Sequence, residues 1–379
     1  MEPFKNFLNP TLVRAAAARL REVWPGFDAR RFERTALKGF DELELKARAM
    51  RIADALEATL PCNDEAAFAQ ACDVVEAALG PPVPVDGMTG EPRDIAQGLA
   101  GWIVWPLGEF VARQGIEHPR RALEALHALT QRLTSEFAIR PFIVRHPALV
   151  FETLLRWTRD DSAHVRRLCS EGSRPRLPWG LRLKALIDDP SPALPILAAL
   201  QDDASEYVRR SVANHLNDIA KDHPDLVVRW IRDHLDGASP QRVALLRHAS
   251  RTLVKQGHPD TLALWGSGAA FEGKITLRLA PTRLALGERV ELALRLASSS
   301  RVEQRLVIDL IVHYVKAKGG TSPKVFKGWT IDLAPGEKRE LRKALSMRDV
   351  SIRRHFAGRH RVAIQVNGAV LAERSFVLE

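Results

Sequence analysis

Apolar positions recur at three- and four-residue spacing through the first two-thirds of the chain. Leu12 to Leu20, Leu43 to Leu60, Ala67 to Leu79, Ala122 to Phe137 and Leu149 to Trp157 each carry one such stripe. That is the period of a helix burying a single face. Pro, Gly, Asp and Asn interrupt the stripes in LPCND, GPPVPVDG and IDDPSP, and such residues end helices and form their connections. The period changes after Trp265. GSGA breaks the helical series, and KITLRLA, RVELALRLAS, QRLVIDLIVHYVKA, KVFKGWTIDL, RELRKALSM, HRVAIQVNG and ERSFVLE follow as short alternating segments. Alternation sets one side of each strand against a core and the other toward solvent.

Internal similarity sharpens the helical part. Asp160-Asp161 precedes HVRR ending at Arg167, and Asp202-Asp203 precedes YVRR ending at Arg210, 42 to 43 residues apart. HPALV at His146 and HPDLV at His223 form a second pair. A period near 40 fits stacked helical hairpins of the HEAT kind, in which each hairpin needs a neighbour to bury its apolar side. Seven candidate strands near the carboxyl terminus predict a β-sandwich of immunoglobulin-like kind, and the lack of a Cys-Trp-Cys pattern excludes only its disulfide-marked form. The expected fold class is therefore multidomain α and β: a HEAT-like helical-repeat solenoid over 1–265, then an immunoglobulin-like β-sandwich over 271–379.

Composition narrows the partners. The 379 residues are 46% hydrophobic, ample for a core, with 56 Lys+Arg against 46 Asp+Glu and a formal charge of +10. That balance favours nucleic acid or an anionic surface. Cys62, Cys72 and Cys169 fit neither a disulfide framework nor a close-spaced zinc site. MEPFKNFLNP lacks the pattern of a signal peptide, and no window supplies the roughly 20 apolar residues of a membrane span. A cytoplasmic protein with no membrane partner and no obligate protein partner is the expectation.

The positive charge is concentrated. His164 to Lys184 holds Arg166, Arg167, Arg174, Arg176, Arg182 and Lys184 against a single acid, Glu171, together with Trp179. Arginines fork onto phosphates and an indole offers a flat surface to a sugar or base; the plainer alternative is a solvated helix end and a stiff loop. Arg209 and Arg210 either extend a phosphate-binding face or pair with Asp202, Asp203 or Glu206. His215 reads as a hydrogen-bonded helix histidine, and WIVWPLGEF, with Trp102, Trp105 and Glu109, as packing. A second concentration, around VSIRRHFAGRH, places Arg353, Arg354 and Arg359 where a loop could meet a DNA backbone.

EGSRPRLPWG, SVANHLNDIAKDHP, VHYVKAKGGTSPKVFKGW and RRHFAGRHRVAIQVNG together resemble the AlkC branch of bacterial DNA alkylation repair glycosylases, across most of the chain. The resemblance implies excision of cationic N-alkylated bases, 3-methyladenine and 3-methylcytosine, from double-stranded DNA, initiating base excision repair without deep-pocket base flipping. It implies no metal or organic cofactor. Carried over by motif, Glu171 is the catalytic carboxylate and Asp218 the second. Trp179 and, more weakly, Glu136 of the preceding helix contact the nucleotide. Arg167, Arg174 and Arg176 contact phosphate. Without the resemblance, Glu171 reads as an ion-pair partner of Arg167 or Arg174. The competing function is a non-catalytic helical-repeat DNA-binding scaffold; an RNA- or protein-binding scaffold is a third.

Overall fold

A computed structural model describes residues 3–85, 97–350 and 353–379. Asp86 and Gly87 of GPPVPVDG, and Ser351 and Ile352 of VSIRRHFAGRH, lie outside the described residues. A helical amino-terminal region precedes a β-rich carboxyl-terminal one. The helices are α1 (Pro10–Val23), α2 (Ala29–Ala36), α3 (Leu45–Glu57), α4 (Glu65–Ala78), α5 (Val104–Gln114), α6 (Pro119–Thr130), α7 (Arg140–Arg145) and α8 (Pro147–Trp157). Then come α9 (Ala163–Gly172), α10 (Lys184–Asp188), α11 (Leu194–Leu200), α12 (Glu206–Ile219), α13 (Pro224–Leu235), α14 (Pro240–Ala249), α15 (Arg251–Gln256) and α16 (Pro259–Leu264). The chain forms two compact units, Met1–Asp222 with Ser239–His248, and His223–Ala238 with Ala249–Glu379. The second unit thus takes in α13, α15 and α16 beside the strands.

The helices start where their sequences satisfy free amides. Asn9 and Asp64 accept from Leu12 and Ala67 at the heads of α1 and α4, at 2.9 and 2.8 Å, and such caps contribute about 1 kcal/mol each. Proline at the first position starts α6, α8 and α13 after His118, His146 and His223, whose ψ angles are 53°, 52° and 64°. Proline there forfeits no helical hydrogen bond. The HPALV and HPDLV pair is thus one helix-starting device, and His118-Pro119 is a further copy.

The 43-residue similarity is also physical. Asp160 Oδ1 accepts the Ser162 amide at 2.8 Å, and Asp203 Oδ1 accepts the Ser205 amide at 2.8 Å, just before α9 and α12. Arg166 Nη1 donates to the carbonyls of Asp160 and Asp161 at 2.8 and 2.9 Å. One repeat later, Arg209 Nη1 donates to those of Asp203 and Ala204 at 2.5 and 2.8 Å. Each arginine folds back onto the turn that precedes its own helix.

One expected helix ends early. The stripe from Ala122 to Phe137 is helical only to Thr130. Ser135 Oγ donates back to the Leu126 carbonyl at 3.2 Å, and the Ser135 amide donates to Thr130 Oγ1 at 3.3 Å. These local side-chain bonds compete with the helical ladder. Glu136 accordingly sits in a turn ahead of α7, not in a helix.

The strands are β1 (Gly273–Ala280), β2 (Arg283–Leu284), β3 (Arg289–Ser298), β4 (Gln304–Val315), β5 (Thr321–Leu333), β6 (Lys338–Ser346), β7 (Gly358–Val366) and β8 (Ala369–Leu378). They form a three-stranded sheet in the order β1-β3-β6 and a five-stranded sheet in the order β2-β8-β7-β4-β5. All pairings are antiparallel except β2 with β8. Leu292, Leu294 and Leu296 of β3 share one core with Ile308, Leu310 and Val312 of β4 and Ile364 and Phe376. Each fully buried side chain of this kind contributes about 1.5–3 kcal/mol. β2, two residues long, is too short for any alternation to announce it. No helix among the described residues is long and apolar enough to cross a membrane.

Candidate active site

The acidic and basic residues singled out near Glu171 meet in one run of ion pairs inside the first unit. α9 carries Arg167 and Glu171 one turn apart, so both leave the same face. α12 runs beside it and presents Ser211 and Asp218. Arg174 follows the end of α9 and lies between the two helices' carboxylates. Its Nη1 donates to Glu171 Oε1 at 2.6 Å, while Nε and Nη2 fork onto Asp218 Oδ2 at 2.9 and 2.8 Å. Lys221 Nζ donates to Asp218 Oδ1 at 2.7 Å. On the other side, Arg167 Nη1 donates to Glu136 Oε2 at 2.9 Å, and its Nη2 lies 3.6 Å from Glu171 Oε1. The sequence of charges is therefore Glu136, Arg167, Glu171, Arg174, Asp218, Lys221, alternating in sign throughout.

Glu171 is 5% exposed and Asp218 1%. Burial alone would push the Glu171 carboxyl up. The charges of Arg167 and Arg174 and the 2.6 Å hydrogen bond from Ser211 Oγ to its Oε2 outweigh that, and the group is held below its ordinary range. Glu171 is thus an ionised carboxylate in a dry setting, where its field acts over longer distances than in water. Burial disfavours the charged form of Arg167 as well, but Glu136 and Glu171 reverse this and raise it; its guanidinium also lies 4.9 Å over the Tyr207 ring. His215 is fully buried, and its Nδ1 donates to the Ser170 carbonyl at 2.9 Å. Burial lowers it to about 4, so it is neutral at pH 7.

Trp179 stands apart from this buried run in character. Its side chain is 71% exposed, and its backbone has φ 63°, left-handed for a residue with a bulky side chain. Such a conformation costs on the order of 1–3 kcal/mol and persists where its surroundings enforce it, commonly at ligand-contacting sites. The exposed indole offers a flat apolar surface in the loop that follows Glu171 in the chain.

Not every arginine of the basic segment faces outward. Arg174, expected on phosphate, is 7% exposed and turned inward between two carboxylates. Arg167 is likewise engaged with Glu136 and Glu171. Arg176 forks onto Asp222 at 2.8 and 2.7 Å. Arg210 pairs with Glu206 at 3.0 Å, and both side chains remain largely exposed. In the second unit, Arg353 lies 4.6 Å over Tyr314 and 5.6 Å over Phe326, and Arg354 and Arg359 are exposed. Trp102 stacks on Phe7 and Trp105 packs at a tilt on Phe137, with ring centroids 5.4 Å apart in each pair. No motif in the sequence marks Ser211 as a partner of Glu171. The i, i+4 step from Arg167 to Glu171 was legible, whereas a serine from the next repeat carries no sequence mark.

Residues 133–253 match the family model described as DNA alkylation repair enzyme, and 274–379 match that described as Uncharacterised protein YhaZ, C-terminal Ig-like domain. The chain is 36% identical over 375 residues to the uncharacterized protein YhaZ of Bacillus subtilis, covering 98% of each. It also superposes on the Pseudomonas fluorescens alkylpurine DNA glycosylase AlkC, bound to DNA containing an abasic site analog. That match has a TM-score of 0.87 and 36% identity, and covers 100% of both chains. The chain belongs to the YhaZ/AlkC family. The charged run from Glu136 to Lys221 falls entirely within the segment that matches the alkylation-repair model, and all the strands but the first residue of β1 fall within the other. In this YhaZ/AlkC member the buried carboxylates and the exposed tryptophan therefore occupy the part of the chain that defines the repair family.

Proposed function

We propose that this YhaZ/AlkC member is a DNA glycosylase that hydrolyses the N-glycosidic bond of cationic alkylated bases in duplex DNA and so initiates base excision repair. Its substrates in this reading are 3-methyladenine and 3-methylcytosine. The observation that carries it is Glu171: a buried carboxylate kept ionised by Arg167, Arg174 and Ser211, in a chain superposing over its full length on an alkylpurine DNA glycosylase.

The chemistry suits the site. An N-alkylated cationic base leaves with the electron pair of the C1′–N bond and departs neutral, so little general-acid assistance is needed. Positive charge grows on the deoxyribose as the bond lengthens. Glu171 stabilises that charge and orients a water whose oxygen bonds to C1′; the water's proton passes to solvent. Asp218 acts through Arg174, to which it is bonded, and supports the carboxylate's position. Trp179 packs against the nucleotide, with Glu136 holding Arg167. Because the indole offers an open wall, the lesion is engaged without a deep pocket.

The 43-residue recurrence of the Asp-Ser-Arg turn supports a HEAT-like repeat for the helical region. Two sheets sharing one core support an immunoglobulin-like sandwich. Arg176, Arg209 and Arg210 are assigned to DNA phosphates around the site, and Arg353, Arg354 and Arg359 to a second stretch of backbone. Arg167 and Arg174 are assigned instead to positioning Glu171, because each bridges Glu171 to a second carboxylate, Glu136 or Asp218.

The test incubates the full chain with matched duplexes holding 3-methyladenine, 3-methylcytosine or no lesion, without added metal. Free base and an abasic site are expected from the methylated duplexes alone. Binding without release from either would leave a DNA-binding scaffold.

A further inference from the structure

Arg140 lies at the start of α7 and is the largest fully buried side chain among the described residues, with 0% of its surface exposed. It forms no ion pair within 4.0 Å among the described residues. Instead its Nη1 donates to the Gly172 carbonyl at 2.7 Å and its Nε to the Leu181 carbonyl at 2.6 Å. A third nitrogen, Nη2, is buried without a hydrogen-bond partner. A buried cation is expensive unless compensated, and burial together with the nearby Arg174 charge lowers Arg140 to about 10. Ordinary packing does not require such a group, since an apolar side chain of similar volume would fill the space.

The two carbonyls identify what the guanidinium does. Gly172 directly follows Glu171, and Leu181 comes two residues after Trp179. The intervening chain, Ser173 to Gly180, is a loop without helix or strand. One rigid planar fork therefore ties both ends of the loop that separates the carboxylate from the exposed indole. Packing reinforces the tie. A Cβ on Gly180 would lie 3.3 Å from Arg140 Nε and 3.1 Å from Leu177, while one on Gly172 would lie 2.7 Å from Ile139. The loop is closed onto Arg140, and within it Trp179 is held at φ 63°.

We infer that Arg140 is a positioning residue for excision: it clamps the Gly172–Leu181 loop and thereby sets Trp179 against Glu171. The inference rests on the glycosylase reading above for its effect on rate, but the clamp itself is a property of the free protein. Lysine cannot reproduce it, because a single ammonium lacks the planar fork that spans two carbonyls.

The test is a double-mutant cycle with the full chain, using single-turnover release from a 3-methyladenine duplex. Wild type, R140Q, W179A and R140Q/W179A are compared, with R140K as a conservative variant. Displacing a substrate-positioning group by about 1 Å slows release by about a hundredfold, so R140Q is expected to lose about that much in the wild-type background. In the W179A background the further loss is expected to be less than about threefold, and R140K is expected to resemble R140Q more than wild type. An equal loss in both backgrounds, or none in the first, overturns the inference. A second measurement is acrylamide quenching of Trp179 in the free protein, isolated by subtracting the matched W179F signal. R140Q is expected to change it, and an unchanged signal counts against the clamp. If R140Q does not fold, G180A presses the same loop against Arg140 while keeping the charge, and the same pair of readouts applies. Absence of release by wild type would sink the glycosylase reading, while the quenching result would still decide the clamp.

Discussion

Replacing Glu171 by glutamine tests the central chemistry with little change of shape. The carboxylate becomes an amide of nearly the same volume, whose oxygen can still accept from Arg174. What disappears is one negative charge from an alternating run, leaving Arg167 and Arg174 with an excess of positive charge where the proposed reaction needs a negative one. A carboxylate about 4 Å from a unit positive charge attracts it by about 4 kcal/mol at an effective dielectric of about 20. Most of that attraction arises only as the glycosidic bond lengthens, so it lowers the barrier. At about 1.4 kcal/mol per decade, its loss slows release by about a thousandfold. Loss of a buried ionic partner also destabilises the fold. With the amide still accepting one hydrogen bond, about 2 kcal/mol is expected, below the usual range for deleting one partner outright. In a domain of this size that lowers the Tm by about 4–8 °C. The assay is single-turnover release from a 3-methyladenine duplex at pH 7, with enzyme in excess, alongside affinity for an abasic-site duplex and thermal unfolding. A folded E171Q releasing base within about threefold of wild type would refute the electrostatic reasoning. Intact binding with abolished release supports it.

Three further outcomes follow from specific residues. His215 is lowered from 6.5 to about 4 by burial, so the unfolded chain binds the extra proton first and stability falls as pH drops from about 6.5 to 4, by about 3 kcal/mol; H215Q is expected to flatten that part of the pH dependence of unfolding, and an unchanged slope would contradict it. W179A removes an indole that is 71% exposed, so its Tm is expected to stay close to wild type while release or lesion binding weakens about ten- to a hundredfold, as for other lost stacking contacts; a large Tm loss with unchanged release would place Trp179 in the fold instead. Gly257 has φ 73°, and a Cβ there would lie 2.4 Å from the Gly368 Cα; G257A is expected to destabilise the β-containing unit by at least about 1 kcal/mol, checked by thermal unfolding.

Much of this architecture is written in local pattern. Helical spacing marks α1, α3, α4 and α8 because one face of each must be buried, and strict alternation marks the longer strands for the same reason. The 43-residue similarity is legible because the same turn, Asp160-Ser162-Arg166 and Asp203-Ser205-Arg209, is built from neighbours in sequence. The early end of α6 was not, since the bonds from Thr130 and Ser135 compete with a stripe that continues to Phe137. β2 escaped because two residues show no period.

The chemistry divides along the same line. Sequence by itself determined that Glu171 is the lone acid in a basic segment, that Arg167 shares its helix face one turn away, and that an aromatic follows within the same motif. All of these are relations within a few residues. Tertiary structure decided which arginines pair with Glu171 and which face solvent. Arg174 turns inward because α12 brings Asp218 opposite Glu171, and no local rule foresees a partner 44 residues away. It likewise placed Ser211 on Glu171 and Arg140 across the loop that carries Trp179. Charge on a linear chain says how much attraction is available; only packing decides which groups lose their water and must find one another.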